Sequence, residues 1–282
     1  VPELRLARGP VDGLTVHYVA AGRGPAVLLV HGLGGFAESW RWNMDALAER
    51  ARVYALDLPG FGQSAKPSAH YDLDFFAAAI DAFLHAMRIG PVSLVGHSLG
   101  GAVAVRYALG HPARVDRLAL IAALVPGFYR LSLAYRLGAL AGLGDAAALV
   151  RCAPLYRVAI ARCFHAPRRA DVDFLVDWAS AARTGLDARL AFLRTLRHLR
   201  PDLVERAAAF RRSVAALDFP VLLVHGRQDP VIPPQYCDGA AGTFARASVR
   251  WLDACGHFPQ IEHASRVNEW LAEFLVGRPA PR

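Results

Sequence analysis

Pro91-Val92-Ser93-Leu94-Val95-Gly96-His97-Ser98-Leu99-Gly100-Gly101 joins a strand pattern to a helical one through a serine set among glycines. Pro91 to Val95 reads as a strand, and Ala102 to Leu109 as a helix. Between them Ser98 has a glycine two residues away on each side. A serine on a sharp strand-to-helix turn takes a strained backbone, and bulky neighbours would clash there. Gly96 and Gly100 remove those side chains. The turn lifts the Ser98 hydroxyl clear of the sheet, and the Leu99 N–H opens the next helix. Unpaired N–H groups and the helix dipole at that end favour a developing oxyanion.

Working outward toward the N-terminus, Ala26-Val27-Leu28-Leu29-Val30 and Val53-Tyr54-Ala55-Leu56 are short continuous apolar runs, as in strands buried on both faces. A helical segment lies near Glu38 to Arg50, and Tyr71 to Ile89 has helical periodicity with Phe75, Phe76, Ile80, Phe83 and Leu84 on one face. Val11 to Ala20 alternates around Asp12-Gly13 as a hairpin would. Toward the C-terminus the strands Leu118–Ile121, Val221–Val224 and Ser248–Trp251 follow, with a last helix from Ser265 to Val276. Strands alternating with helices predict an α/β fold, a parallel sheet with helices on both faces. The interruption from Val125 to Asp218 holds several helical patterns and no strand, and it is too long for a structureless loop. The expected organisation is a core of residues 1–124 and 219–282 with a helical cap of residues 125–218 inserted between two strands.

A serine hydroxyl is a weak nucleophile and needs a base. Of the eleven histidines, His257 in Ala254-Cys255-Gly256-His257-Phe258-Pro259 is the best placed, since it follows the last strand, where a loop at the sheet's C-terminal edge reaches Ser98. The orienting acid is read as Asp229 in His225-Gly226-Arg227-Gln228-Asp229-Pro230, which again leaves an apolar strand. Asp253 and Glu262 flank His257 but leave no separate strand end, so they rank below it. The second oxyanion donor, besides the N–H of Leu99, is expected from the Leu33 N–H in His31-Gly32-Leu33-Gly34-Gly35, with Gly34 next.

Composition excludes several classes. The net charge is +8, but the 32 basic residues include a single lysine, Lys66, and form no basic stripe with interleaved aromatics, so no nucleic-acid partner is expected. GxGxxG spacing and a Walker lysine are absent, and the four cysteines have no zinc spacing, so no cofactor or metal is expected. The most apolar charge-free stretch, Leu118 to Tyr129, is too short to span a bilayer. With no basic and apolar leader visible, a cytoplasmic location is the expectation. Between Val125 and Ala170 only Asp145 opposes Arg130, Arg136, Arg151, Arg157, Arg162, Arg168 and Arg169. That pattern fits either a lid with solvated arginines or one that attracts anionic substrates or a membrane surface. The aromatics Phe128, Tyr129, Tyr135, Tyr156, Phe174, Trp178 and Phe192 are read as core or as pocket lining. Oligomeric state is not legible.

In these motifs, together with Asp57-Leu58-Pro59-Gly60-Phe61-Gly62, the chain resembles the α/β-hydrolase superfamily over nearly its whole length, with the serine, acid and histidine in the family's order. The resemblance implies an eight-stranded, mostly parallel sheet, a cap between strands six and seven, and scaffold roles for His31, Asp57 and His225. It also has departures. Haloalkane dehalogenases and soluble epoxide hydrolases use an aspartate nucleophile where this chain has Ser98. Carbon-carbon hydrolases of aromatic ring-fission products often carry a tryptophan after the histidine, where this chain has Phe258. The expected activity is cofactor-free cleavage of a small-molecule carboxylic ester or thioester through an acyl-enzyme. Carbon-carbon bond hydrolysis on the same triad, or a small-molecule receptor that retains the triad, are the alternatives.

Overall fold

The structure, a computed structural model, describes residues 2–125, 127, 140, 153–201 and 205–276. Among these, eight strands form one sheet: β1 (Glu3–Arg5), β2 (Thr15–Ala21), β3 (Ala26–Val30), β4 (Arg52–Leu56), β5 (Val92–His97), β6 (Val115–Ile121), β7 (Val221–Gly226) and β8 (Ala247–Leu252). Across the sheet their order is β1-β2-β4-β3-β5-β6-β7-β8. β2 runs antiparallel to β1 and to β4, and every other neighbouring pair is parallel. This is the α/β-type, mostly parallel sheet that the alternating pattern predicts.

The continuous apolar runs are explained by what covers them. Along β3, Val27 and Leu29 pack with Trp40 and Met44 and with Leu271 near the C-terminus, while Leu28 and Val30 pack with Phe76, Ile80 and Val103 on the other face. The first layer is α1 (Arg41–Ala48) with α10 (Ala264–Val276); the second is α2 (Leu73–Ala86) with α3 (Leu99–Gly110). A strand whose side chains alternate between two apolar layers has no polar face to show.

Between β6 and β7 the described residues carry α4 (Ala153–Ala161), α5 (Arg169–Ala182), α6 (Leu186–Arg200) and α7 (Ala207–Ala215), and no strand. Arg130, Arg136, Asp145, Arg151, Phe128, Tyr129 and Tyr135 lie outside the described residues. Of the other cap arginines, Arg157 and Arg169 pair with Asp173, and Arg168 with Asp171. The acids that balance them begin just past the stretch whose charge looked one-sided. No described helix is long and apolar enough to cross a membrane.

Some local readings need correction. The hairpin is made by β1 and β2, so its first arm lies upstream of the alternating stretch, and residues 9–11 form a short 3-10 turn instead. Gly13 closes the turn at φ 77°. The helix after Ser98 starts at Leu99, three residues before the periodicity begins. The helices α8 (Pro234–Ala241) and α9 (Pro259–Glu262) carry too few apolar positions to announce themselves.

The sheet order locates the site. The chain leaves β3 toward β4 on one side, while β5 pairs on the other, with Val30 opposite Gly96. Where strand order reverses, the loops beyond the strand ends diverge and leave a crevice.

Candidate active site

Ser98 leaves β5 at φ 52° and ψ −119°. A non-glycine residue there costs on the order of 1–3 kcal/mol and persists only if its surroundings over-determine it. They do: the Ser98 N–H donates to Ile121 O at 3.1 Å, and its carbonyl accepts from Gly101 N at 3.0 Å and Leu124 N at 2.9 Å. The flanking glycines are sterically required. A Cβ on Gly96 would sit 2.4 Å from Gly100 O, and one on Gly100 would sit 2.1 Å from Val30 O.

His257 follows β8, and three of its polar groups are fixed. Its N–H donates to Cys163 O at 2.7 Å, its carbonyl lies 2.8 Å from His97 Nε2, and its Nδ1 lies 2.9 Å from Asp229 Oδ2. A carboxylate only accepts, so Nδ1 carries the proton and Nε2 is left as the basic nitrogen. Asp229 is positioned in turn by its own loop, Oδ1 accepting from Val231 N at 2.8 Å and Ile232 N at 2.9 Å. Burial pushes the Asp229 carboxyl up. The charge and hydrogen bond of His257, the His225 ring and the Ile232 N–H outweigh it, and the net result lies below the ordinary value. Ser98 and His257 line one cavity; no bond between the Ser98 hydroxyl and the His257 ring is formed among the described residues. Such bonds commonly tighten only when substrate arrives.

Both expected oxyanion donors line that cavity as well. Leu99 is the first residue of α3, so its N–H has no partner inside the helix. Leu33 sits in a turn closed by Gly35 N donating to Gly32 O at 3.0 Å. A Cβ on Gly32 would lie 3.0 Å from Ser98 Cβ, so the loop rests directly against Ser98. His31 fastens it: Nε2 accepts the Leu58 N–H at 3.1 Å, which leaves Nδ1–H to donate to Gly32 O at 2.8 Å. Burial pulls His31 down to about 4, consistent with a neutral scaffold ring. Asp57 likewise accepts the N–H groups of Ala37 and Gln63, and His225 lies 2.8 Å from Ile232 O.

Neither Asp253 nor Glu262 pairs with the His257 ring. The Asp253 side chain is 87% exposed and pairs with Arg227. Glu262 braces the histidine loop instead, taking Gly256 N–H at 2.9 Å on one oxygen and His165 N–H of the cap at 2.8 Å on the other. As for metals, His17, Glu38 and Asp57 are the one His/Cys/Asp/Glu cluster of suitable spacing among the described residues. The Asp57 oxygens are already spent on backbone N–H groups, and His17 Nε2 lies 2.9 Å from Glu38.

The cavity measures about 230 Å³ and lies between core and cap. Its walls are largely apolar, with Leu124, Ile160, Leu175, Phe192, Leu196 and Val231 contributing. Among the described residues, Arg183 is the one lysine or arginine that lines it; its guanidinium lies 4.7 Å from the Phe192 ring centre and donates to Gly34 O at 3.2 Å. Of the candidate aromatics, Tyr156 and Phe192 line the cavity, while Phe174 and Trp178 pack with Phe36 in a satellite core.

A family model described as the alpha/beta hydrolase fold matches residues 25–264. The chain belongs to the α/β-hydrolase family. Within it, this α/β-hydrolase is 30% identical, over an alignment 283 positions long, to a 2-hydroxymuconate semialdehyde hydrolase of Pseudomonas sp. (strain CF600), covering 94% of this chain and 91% of that protein. Among solved structures it is similar to a 2-hydroxy-6-oxo-6-phenylhexa-2,4-dienoate hydrolase of Rhodococcus sp. strain RHA1, with TM-score 0.80, 27% identity, and 97% and 98% of the two chains covered. A haloalkane dehalogenase of Bradyrhizobium elkani superposes with TM-score 0.84 at 25% identity, covering 98% and 97%.

Two residues of this α/β-hydrolase's site went unread in its sequence. Arg183 carries no local signal, because its place in the cavity is set by how the cap folds back over the sheet. His97 was visible only as a filler of the serine motif, and its partner is 160 residues away.

Proposed function

We propose that this α/β-hydrolase cleaves a carboxylic ester or thioester through an acyl-enzyme. Ser98 Oγ attacks the carbonyl carbon while His257 Nε2 takes the hydroxyl proton, and Asp229 steadies the imidazolium that forms. The oxyanion is received by the Leu99 and Leu33 N–H groups, each worth about 3 kcal/mol in the transition state. His257 then hands its proton to the leaving alcohol or thiol. Water attacks the acyl-enzyme by the same route, and free acid departs while Ser98 regains its hydrogen. The observation that carries this reading is a serine at positive φ in a shared cavity with a histidine whose far nitrogen meets a buried carboxylate.

Labelling by a fluorophosphonate and turnover of p-nitrophenyl esters of graded chain length test it. Both should vanish in Ser98→Ala, with kcat falling on the order of a millionfold. A variant that keeps more than about a tenth of parental activity ends the nucleophile assignment. Labelling without turnover of any ester would favour a receptor that retains the triad.

A second reading is hydrolysis of a carbon-carbon bond in an acidic oxo-diene. It is favoured by the names of two similar hydrolases and by Arg183, a cation that suits a substrate with a carboxylate end. Including 2-hydroxy-6-oxo-dienoates in the substrate panel separates the two readings by their kcat/KM.

A further inference from the structure

His97 is buried, titratable and adjacent to the nucleophile, yet the reaction above does not use it. We propose that His97 is a positioning residue that clasps the main chain of His257 to the end of β5 and so sets the distance between the reacting serine and histidine. The inference rests on the reading of Ser98 and His257 as the reacting pair.

The geometry supports it step by step. A carbonyl oxygen can only accept, so His97 Nε2 must carry the hydrogen that it gives to His257 O at 2.8 Å. The other main-chain ties of this loop come from elsewhere: Cys163 O in the cap for the His257 N–H, Glu262 for the Gly256 N–H, and Gln228 for the Cys255 N–H and carbonyl. Among the described residues, the His97 bond alone joins the strand that bears Ser98 to the His257 peptide. The ring has little room to turn away. Its centre is 4.9 Å from the His257 ring and 5.3 Å from Phe258, and a Cβ on Gly32 would lie 3.1 Å from its Nδ1. Burial first, then the His257 charge, pulls His97 down to about 3, so the ring stays neutral and keeps its tautomer.

His97→Leu, His97→Asn and His97→Gln, read alongside Ser98→Ala, test the idea. The glutamine amide N–H reaches the place of Nε2, the asparagine amide falls a bond short, and leucine has no donor. With p-nitrophenyl esters, Leu and Asn variants should lose about thirtyfold in kcat with KM within about twofold, the scale of effect of a small misplacement of reacting groups. The Gln variant should recover to within about threefold of the parent. Fluorophosphonate labelling rates should follow the same order while Tm does not. Equal kcat in the Gln and Asn variants, or a Leu variant within about threefold of the parent, overturns the proposal. Should the Leu variant fail to fold, the Gln–Asn pair decides. Persistent turnover in Ser98→Ala would instead bring down the underlying reading, whatever the His97 series shows.

Discussion

Asp229 has a fully buried side chain whose two oxygens are divided between tasks, one held by the Val231 and Ile232 N–H groups and the other facing His257. An asparagine there keeps the volume and the loop contacts but presents an amide, so His257 would settle in the wrong tautomer. Asp229→Asn should therefore lose about 10⁴ in kcat, whereas Asp253→Asn, on an exposed carboxylate paired with Arg227, should stay within about twofold because surface ion pairs contribute little. Steady-state ester hydrolysis by the two variants checks this, and comparable losses would move the acid to Asp253. At this scale the sequence was legible where a motif constrains the backbone. Ser98, Asp229 and His257 each sit just past a strand, and that order picked them out. His97 and Arg183 were not legible as site residues, because a hydrogen bond or a cavity position across the fold leaves no periodic trace.

The helix α3 shows how one substitution can have opposite signs within a single element. Gly100 lies in its first turn, where a Cβ would come 2.1 Å from Val30 O, a backbone atom that cannot swing aside. Gly110 ends the same helix in open space, with nothing within 4 Å of where a Cβ would stand. Gly110→Ala should raise stability by up to about 1 kcal/mol, since alanine narrows the unfolded ensemble. Gly100→Ala should destabilise by several kcal/mol, at about the scale of forced overpacking or more. Urea midpoints measure both, and a tolerated Gly100→Ala would mean that β3 and α3 can move apart at little cost. Element boundaries were harder to read than element types. The α3 start at Leu99 precedes its apolar periodicity because the strained serine, not the pattern, begins the helix.

On the scale of the whole molecule, the sheet buries titratable groups along with its apolar layers, and this makes stability depend on pH. His31 and His97 are pulled by burial to about 4 and about 3 from an ordinary 6.5. As pH falls below 6.5 the unfolded chain binds their protons and the folded chain does not, so stability is lost, at about 1.4 kcal/mol per pH unit for each. Asp57, raised by burial to about 7 from 3.8, acts in the opposite sense, favouring the folded state on acidification between those values. His225, also held down by burial, acts with them, so the histidines outnumber Asp57 and leave a net loss between pH 6.5 and 4. Urea midpoints should fall across that window, and a rise would show that Asp57 outweighs the histidines.

Local pattern along the chain was enough for the strand and helix alternation, the mostly parallel sheet, the helical run between β6 and β7 and three candidate site residues. It could do so because side-chain periodicity and glycine spacing are local properties of the chain. Only the tertiary structure decided that β1 lies at the sheet edge, that Glu262 joins the histidine loop to the cap, that Arg183 enters the cavity and that His97 reaches His257. Each of these depends on distances between segments far apart in the chain, which are set by how α/β layers pack and not by any pattern along one of them.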